Sequence, residues 1–318
     1  MTWDAIVVGA GVIGLTSAIV LAEGGLRVAV WTRDPVGRTT SAVAGGLWWP
    51  YRIEPEDQVT TWSVRTLHTL TALARRPAET GVRRVEGVQA GIGTGDLGPW
   101  ATAVPGLRQG RPDELPDGFA VGLRARVPLV DMPTYLDYLR WRLTAAGGRV
   151  EERAVTSLAE AGRAAPLVVN CTGLGARELV PDADVHPVQG QLVVVENPGV
   201  EEWLVAADPH SPDTLYALPQ PYGLVLGGTA RENAWSLEPD PATAEAIVAR
   251  CARVHPRVAH ARVLAHRVGL RPTRSRVRLE REELPGGGAC VHNYGHGGAG
   301  VTVAWGCAEE AFRLLVGR

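Results

Sequence analysis

Ala5-Ile6-Val7-Val8-Gly9-Ala10-Gly11-Val12-Ile13-Gly14 opens the chain. The first four residues are a short apolar run of the kind that forms a buried strand, the next six spell G-x-G-x-x-G, and Leu15 to Ala22 continue as an apolar helix. Each glycine has a task in a dinucleotide-binding unit. Gly9 makes the tight turn, Gly11 lets the backbone approach a pyrophosphate, and Gly14 lets helix and strand pack closely. The phosphates would sit at the positive end of the helix. A ligand-free turn is the plainer reading of a bare G-x-G-x-x-G, and the strand before it and the helix after it favour the dinucleotide. Leu26 to Trp31 reads as the second strand, whose end normally carries an acidic residue for the ribose hydroxyls. Here that end is Thr32-Arg33-Asp34. Arg33 suits a 2'-phosphate and Asp34 suits a ribose if the register shifts by one, so NAD, NADP and FAD all remain open at this point.

The opposite end of the chain holds a second glycine-rich stretch. His292-Asn293-Tyr294-Gly295-His296-Gly297-Gly298-Ala299-Gly300 follows the strand-like Ala289-Cys290-Val291 and runs through Val301 to Gly306 into a helix-compatible tail. Four glycines in six positions describe a loop that a ligand approaches closely.

At 318 residues, 45% hydrophobic and 21% charged, the chain is globular and long enough for one large or two medium domains. A net charge of −2 indicates neither nucleic acid nor an anionic membrane as partner. All basic residues are arginine, which excludes lysine-dependent P-loop chemistry, a pyridoxal phosphate Schiff base and lysine general bases. Cys171, Cys251, Cys290 and Cys307 lack C-x-x-C spacing and read as buried free thiols of a reducing compartment, with no metal site. No apolar run is long enough to span a membrane, the N-terminus lacks a basic n-region, and Val316-Gly317-Arg318 is not a peroxisomal address. A cytoplasmic protein is expected.

The fold class is α/β. Met132 to Leu143 reads as a helix stopped at Gly147-Gly148, Gly148 to Glu151 as a strand start, and Pro166 to Gly173 as a buried strand ending in a small-residue turn that could reach the same cofactor. Val82 to Gly91, Gln191 to Glu196, Leu215 to Leu218 and Gly223 to Thr229 have the grammar of antiparallel strands, and Ala242 to Cys251 looks helical. This interleaving implies two discontinuous domains. Residues 1–50, 130–180 and 285–318 would form a Rossmann-type domain with a parallel sheet. Residues 51–129 and 181–284 would form an α+β substrate domain with a mainly antiparallel sheet, leaving the substrate site between them.

Taken together, Gly9 to Gly14, Thr39 to Tyr51 (TTSAVAGGLWWPY), Asn170-Cys171-Thr172-Gly173, Val268-Gly269-Leu270-Arg271-Pro272, Val277-Arg278-Leu279-Glu280 and His292 to Gly306 resemble the D-amino acid oxidases, in family order and over nearly the whole chain. The HNYGHGGAG stretch is specific to that family and its D-aspartate oxidase relatives. The resemblance implies noncovalent FAD rather than NADP, and oxidation of a D-amino acid to the imino acid by direct hydride transfer from Cα to flavin N5, with oxygen as acceptor and hydrogen peroxide as product. Hydrolysis then gives a 2-oxo acid and ammonia. A homodimer is left open.

Under the resemblance, Arg271 binds the substrate carboxylate, Tyr216 adds its hydroxyl to the same group, and the Gly298 carbonyl faces the amine. A guanidinium suits the first task because it grips a carboxylate in a planar, bidentate way. Leu47, Trp49 and Tyr51 would complete the substrate wall. FAD would be contacted by Gly9, Ala10, Gly11, Val12, Ile13 and Gly14, by Arg33 and Asp34, and by Thr39, Thr40, Ser41, Val43, Ala44, Gly45, Gly46 and Leu47. Further contacts would come from Cys171, Thr172 and Gly173, and from Arg271, His296, Gly297, Gly298, Ala299, Gly300, Val301 and Thr302. No side chain is needed as general acid or base, so His292 and His296 read as structural or hydrogen-bonding residues.

Two departures from the family pattern carry expectations. Pro212 stands where a second active-site tyrosine is common, in a short segment from Asp208 to Thr214, which predicts freer exchange of substrate and product. Ala230 stands where D-aspartate oxidases place an extra arginine, with Arg231 one residue on and so on the opposite face of a strand. Neutral or apolar D-amino acids are therefore favoured over acidic ones, with D-aspartate oxidase or glycine oxidase-like activity as the alternatives. An NADP-dependent dehydrogenase and a non-catalytic flavoprotein are the other readings; neither accounts for Arg271, Tyr216 and the C-terminal stretch together.

Overall fold

The computed structural model describes residues 2–207, 214–285 and 287–317. The chain begins with β1 (Ala5–Val8), α1 (Val12–Glu23) and β2 (Val28–Thr32), then passes through α2 (Thr40–Val43), α3 (Glu56–Leu73), α4 (Pro77–Thr80), β3 (Val82–Ala90), β4 (Arg108–Gln109) and β5 (Gly122–Val130). It returns with α5 (Met132–Ala145), β6 (Arg149–Glu152), α6 (Leu158–Ala164) and β7 (Leu167–Asn170). After α7 (Ala176–Leu179) come β8 (His186–Val195), β9 (Trp203–Ala207), β10 (Thr214–Gln220), β11 (Gly223–Gly227), β12 (Arg231–Glu232) and α8 (Pro241–Ala252). The end is β13 (Val263–Glu283), β14 (Ala289–His296) and α9 (Gly300–Val316).

β14, β7, β1, β2 and β6 lie side by side in that order and run parallel, with α1 and α9 packed against each other on one face. β4, β5, β3, β9, β10, β11 and β8 follow one another in the other half, antiparallel except where β3 meets β9. β13 joins the halves. Its first part pairs with β8 through Thr273 and its last part, Arg278 to Glu283, pairs with β14, with a register shift between. Its 21 residues make it long enough to pair in both halves, so the separate parallel and antiparallel sheets expected from the sequence are one continuous mixed sheet.

Local chemistry explains the element ends that frame the site. β1 is buried along its whole length, as its four apolar residues require. Asp131 caps α5 by accepting from the Thr134 N–H and hydroxyl, and Pro133 takes an early position whose N–H would have no helical partner. Gly306 lets α9 sit against α3, because an added Cβ there would stand 2.3 Å from the Trp62 backbone.

The structure departs from the sequence expectations in two further places, and another expectation falls outside the described residues. Strand β14 runs to His296, so the expected loop at His292 is buried strand, and only Gly297–Ala299 turn before α9. β11 ends at Gly227, which leaves Gly228, Thr229 and Ala230 outside any strand, so opposite faces of one strand do not separate Ala230 from Arg231. Of the Asp208 to Thr214 segment only Thr214 is described, and Pro212 lies outside the described residues. No helix among the described residues is long and apolar enough to cross a membrane.

Candidate active site

Three strand ends converge where the cofactor is expected. β7 lies between β1 and β14, and all three run parallel, so their C-terminal turns share one edge of the sheet. At Gly9, whose φ is +107°, an added Cβ would stand 2.4 Å from the Cys171 carbonyl oxygen, and at Gly14 one would stand 1.9 Å from the Gly9 carbonyl oxygen. The fingerprint glycines therefore close strand, turn and helix onto one another, and no other residue fits. Ser41 Oγ accepts the Val12 N–H at 2.9 Å, which brings the Thr39 to Leu47 segment to the mouth of α1. The α9 N-terminus lies beside it: an added Cβ at Gly300 would stand 3.9 Å from Val12 and 4.0 Å from Ile13. Two helix N-termini at one place concentrate N–H donors and positive potential, which suits a pyrophosphate. His296 Nε2 and Asn293 Oδ1 are buried there without protein partners. The cradle and these orphaned polar atoms fit a dinucleotide with a polar ring system.

Four consecutive residues of β13 each meet a segment expected at the cofactor. Gly269 would place a Cβ 3.3 Å from Val43, the Leu270 carbonyl accepts from the Thr40 hydroxyl at 3.0 Å, Arg271 Cδ is 3.5 Å from a Cβ built on Gly298, and Pro272 is 3.5 Å from one built on Gly173. Arg271 thus sits on the strand that joins the two halves of the sheet, at the turn that starts α9. Its Nη1 donates to the Thr229 carbonyl at 3.0 Å, and its guanidinium lies over Gly190 of β8, where a Cβ would come within 2.4 Å of Nη2. Among the described residues no carboxylate is paired with Arg271. A part-buried cation without a carboxylate partner is suited to bind an anion.

Tyr216 reaches Arg271 from β10. Burial raises its pKa, while the nearby Arg271 guanidinium acts in the opposite sense, so the hydroxyl stays protonated at neutral pH. Its ring lies over the Gly227-Gly228 backbone, where a Cβ at Gly227 would stand 2.0 Å from Cζ. Gly45 faces the same strand, 2.7 Å from Leu218 and 4.0 Å from Tyr216 by the same measure. The Gln220 amide, four residues along β10, donates to the carbonyls of Gly45 at 2.9 Å and Val130 at 3.0 Å, tying the cofactor segment to the strand that carries Tyr216.

The remaining expected residues are less uniform. Trp49 packs into the core, its ring 5.2 Å from Trp100 and 5.6 Å from Trp203. Leu47 is part-buried and bridges to Leu129, and Tyr51 is 40% exposed with Arg52 over its ring. Arg33 and Asp34 pair with each other at 2.9 Å on the surface at the end of β2. The Thr302 hydroxyl is largely committed to Trp49, accepting its N–H at 3.3 Å and donating to its carbonyl at 3.2 Å, which leaves one lone pair free. Burial depresses both histidines of the C-terminal motif, His296 to about 3, so both are neutral at pH 7 and neither is a ready acid. Cys171 has a thiol pushed up to about 12 by burial, which makes it unreactive.

Gly190, Thr229 and Gln220 were not singled out from the sequence. Gly190 had a signal: a glycine inside the strand pattern His186 to Val195 marks close backbone approach. Thr229 acts through its carbonyl, which carries no residue-type signal.

Fold and site together define a flavin-dependent oxidoreductase, with a dinucleotide cradle and an arginine, unpaired with any described carboxylate, on the strand that joins the two halves of its sheet. The chain belongs to the DAO family of FAD dependent oxidoreductases, which it matches over residues 4–314, and its cofactor is FAD. It is 63% identical to a D-amino-acid oxidase of Streptomyces coelicolor, covering 98% of this chain and 96% of that protein. It is 53% identical to one from Rubrobacter xylanophilus, covering 98% and 95%. Among solved structures, glycine oxidase from Geobacillus kaustophilus superposes with a TM-score of 0.83 at 20% identity over 99% of this chain and 95% of that one, a likeness of fold.

Proposed function

We propose that the protein oxidises neutral or apolar D-amino acids to imino acids, which hydrolyse to 2-oxo acids and ammonia, with oxygen reduced to hydrogen peroxide. The observation that carries the reading is the Arg271 guanidinium, unpaired with any described carboxylate, held by the Thr229 carbonyl, close enough to Tyr216 for its charge to act on that hydroxyl, and packed against Gly298 at the start of α9. FAD, when bound, supplies the two-electron acceptor for the Cα hydrogen and its electron pair, and returns the electrons to oxygen.

The chain's own residues do the rest by position. Arg271 grips the carboxylate through two N–H donors while Thr229 holds the guanidinium from behind, and the Tyr216 hydroxyl donates a further hydrogen bond to the same carboxylate. The Gly298 carbonyl accepts from the amine, which must be unprotonated for its lone pair to assist departure of the hydrogen. Carboxylate and amine held at separate points leave one Cα substituent facing the cofactor, which selects one enantiomer. Residues 1–50, 130–180 and 285–318 carry the cofactor in this reading, and 51–129 and 181–284 carry the substrate.

Arg231 supports the preference for neutral side chains. Its Nη2 donates to Thr243 Oγ1 at 2.6 Å and lies 3.8 Å from Asp240, so its charge is directed to the start of α8. Oxygen uptake on D-valine, D-aspartate, glycine and L-valine tests the reading. D-valine should be the fastest and L-valine inert; D-aspartate fastest would replace the substrate class, and L-valine fastest would overturn the enantiomer.

A further inference from the structure

The polar residues of the C-terminal motif are buried without a part in the proposed reaction: His292 is 1% exposed and Tyr294 1%. Hydrogen bonding around His292 fixes its protonation. The Thr172 backbone N–H, which can only donate, lies 3.3 Å from Asn170 Oδ1, and the Thr172 hydroxyl donates to the same oxygen at 2.7 Å. These two donors decide which end of the Asn170 amide is oxygen. Its Nδ2 therefore faces His292 Nδ1, at 3.1 Å. An amide nitrogen only donates, so Nδ1 must accept and the ring proton sits on Nε2. That proton is donated to Glu282 Oε2 at 3.0 Å, and Arg278 holds the other carboxylate oxygen. Thr172 belongs to the turn after β7, at the edge of the cradle formed with Gly9.

We propose that His292 is a positioning residue for the cofactor: as the neutral Nε2–H tautomer it holds Asn170, and through Asn170 the N–H and hydroxyl of Thr172, at the rim of the dinucleotide cradle. The proposal rests on the reading of Thr172 as a cofactor contact. The groups facing His292 are Asn170 from β7, Glu282, Glu280 and Arg278 from β13, and the Tyr294 ring, 5.8 Å away, from its own strand. A proton added to Nδ1 would oppose the Asn170 amide nitrogen. Asn170 would then have to turn over, presenting its NH2 group to the Thr172 N–H and losing the bond that holds the turn.

Long-range nitrogen–proton NMR on the histidine-labelled holoenzyme reads the tautomer directly, and FAD release on dilution, followed by flavin fluorescence, reads the positioning. In the unaltered protein His292 Nδ1 should be unprotonated and Nε2 protonated at pH 8. Asn170→Asp, which offers carboxylate oxygens to both neighbours, should protonate both ring nitrogens. His292→Leu should raise the extent of FAD release roughly tenfold. Thr172→Val should do the same, the double variant should add nothing further, and His292→Gln, which keeps a donor and an acceptor, should stay within about twofold of the unaltered protein. A protonated Nδ1 in the unaltered protein, or full additivity of His292→Leu and Thr172→Val, overturns the proposal. Thr172→Val without effect on FAD release overturns the cofactor reading of Thr172 itself, and the positioning role with it.

Discussion

The backbone of Gly190 faces the Arg271 guanidinium: a Cβ built there would stand 2.5 Å from Cζ, 2.5 Å from Nη1 and 2.4 Å from Nη2. Three nearly equal distances mean that the strand backbone lies under the plane of the cation. Position 190 thereby fixes the height of the Arg271 guanidinium above the strand. Gly190→Ala should displace Arg271, since overpacking costs about 1–3 kcal/mol, and lower kcat/KM roughly tenfold to a hundredfold, mainly through KM. Steady-state kinetics with a bound-FAD measurement checks it, and unchanged KM would contradict it.

Arg271 itself should be the most sensitive substitution. Arg271→Ala removes the charge and both donors, and a loss of about 3 kcal/mol corresponds to roughly a hundredfold or more in kcat/KM. Arg271→Lys keeps the charge and loses the planar grip, so it should fall between the two and not rescue fully. Unchanged substrate binding in Arg271→Ala would contradict the assignment.

Tyr216→Phe removes one hydroxyl and leaves the ring over Gly227 and Gly228, so the fold should persist. The loss should be about 1 kcal/mol, roughly fivefold in kcat/KM. Because burial raises the hydroxyl pKa, the unaltered enzyme should show no decline assignable to Tyr216 between pH 7 and its ordinary value of 10. A titrating group lost from the pH profile in Tyr216→Phe within that range would count against the role.

Stability should fall on mild acidification. His296 is held neutral, with a pKa lowered to about 3 against an ordinary 6.5, and burial lowers His292 and His255 in the same direction. A group with a depressed native pKa contributes its stability above the unfolded value and loses it as pH falls toward the native one. From pH 6.5 to 5 the His296 contribution alone amounts to about 2 kcal/mol, before carboxylates of ordinary pKa begin to protonate. Urea midpoints at pH 8, 6 and 5 should decline in that order; a midpoint that holds or rises at pH 5 would contradict it.

The cradle was legible because its residues act through backbone geometry that only glycine permits, and glycine is visible in a sequence. Gly9 to Gly14 needed only the apolar strand before them and the apolar helix after them to read as a dinucleotide turn. The buried end of β14 was not legible, since His292, Asn293 and Tyr294 look like loop residues until their partners are known. Those partners are Asn170, Glu282, Ser17 and Asp182, brought in from distant segments. Val268 to Pro272 was recognisable only as a motif, and the long strand β13 that carries it to Glu283 was hidden in a run crowded with arginine and glutamate that pairs with both halves of the sheet. Thr302 shows the opposite case, a motif residue whose hydroxyl is mostly taken up by the Trp49 backbone.

The most direct measurement is anaerobic: the yellow holoenzyme is mixed with D-valine or L-valine and the flavin absorbance is followed. Bleaching with D-valine and none with L-valine is the expected result, together with an Arg271→Ala holoenzyme that retains its colour and needs far more D-valine to bleach. A holoenzyme that stays yellow with every neutral D-amino acid, or that bleaches with the L-enantiomer instead, would contradict the assignment of the site.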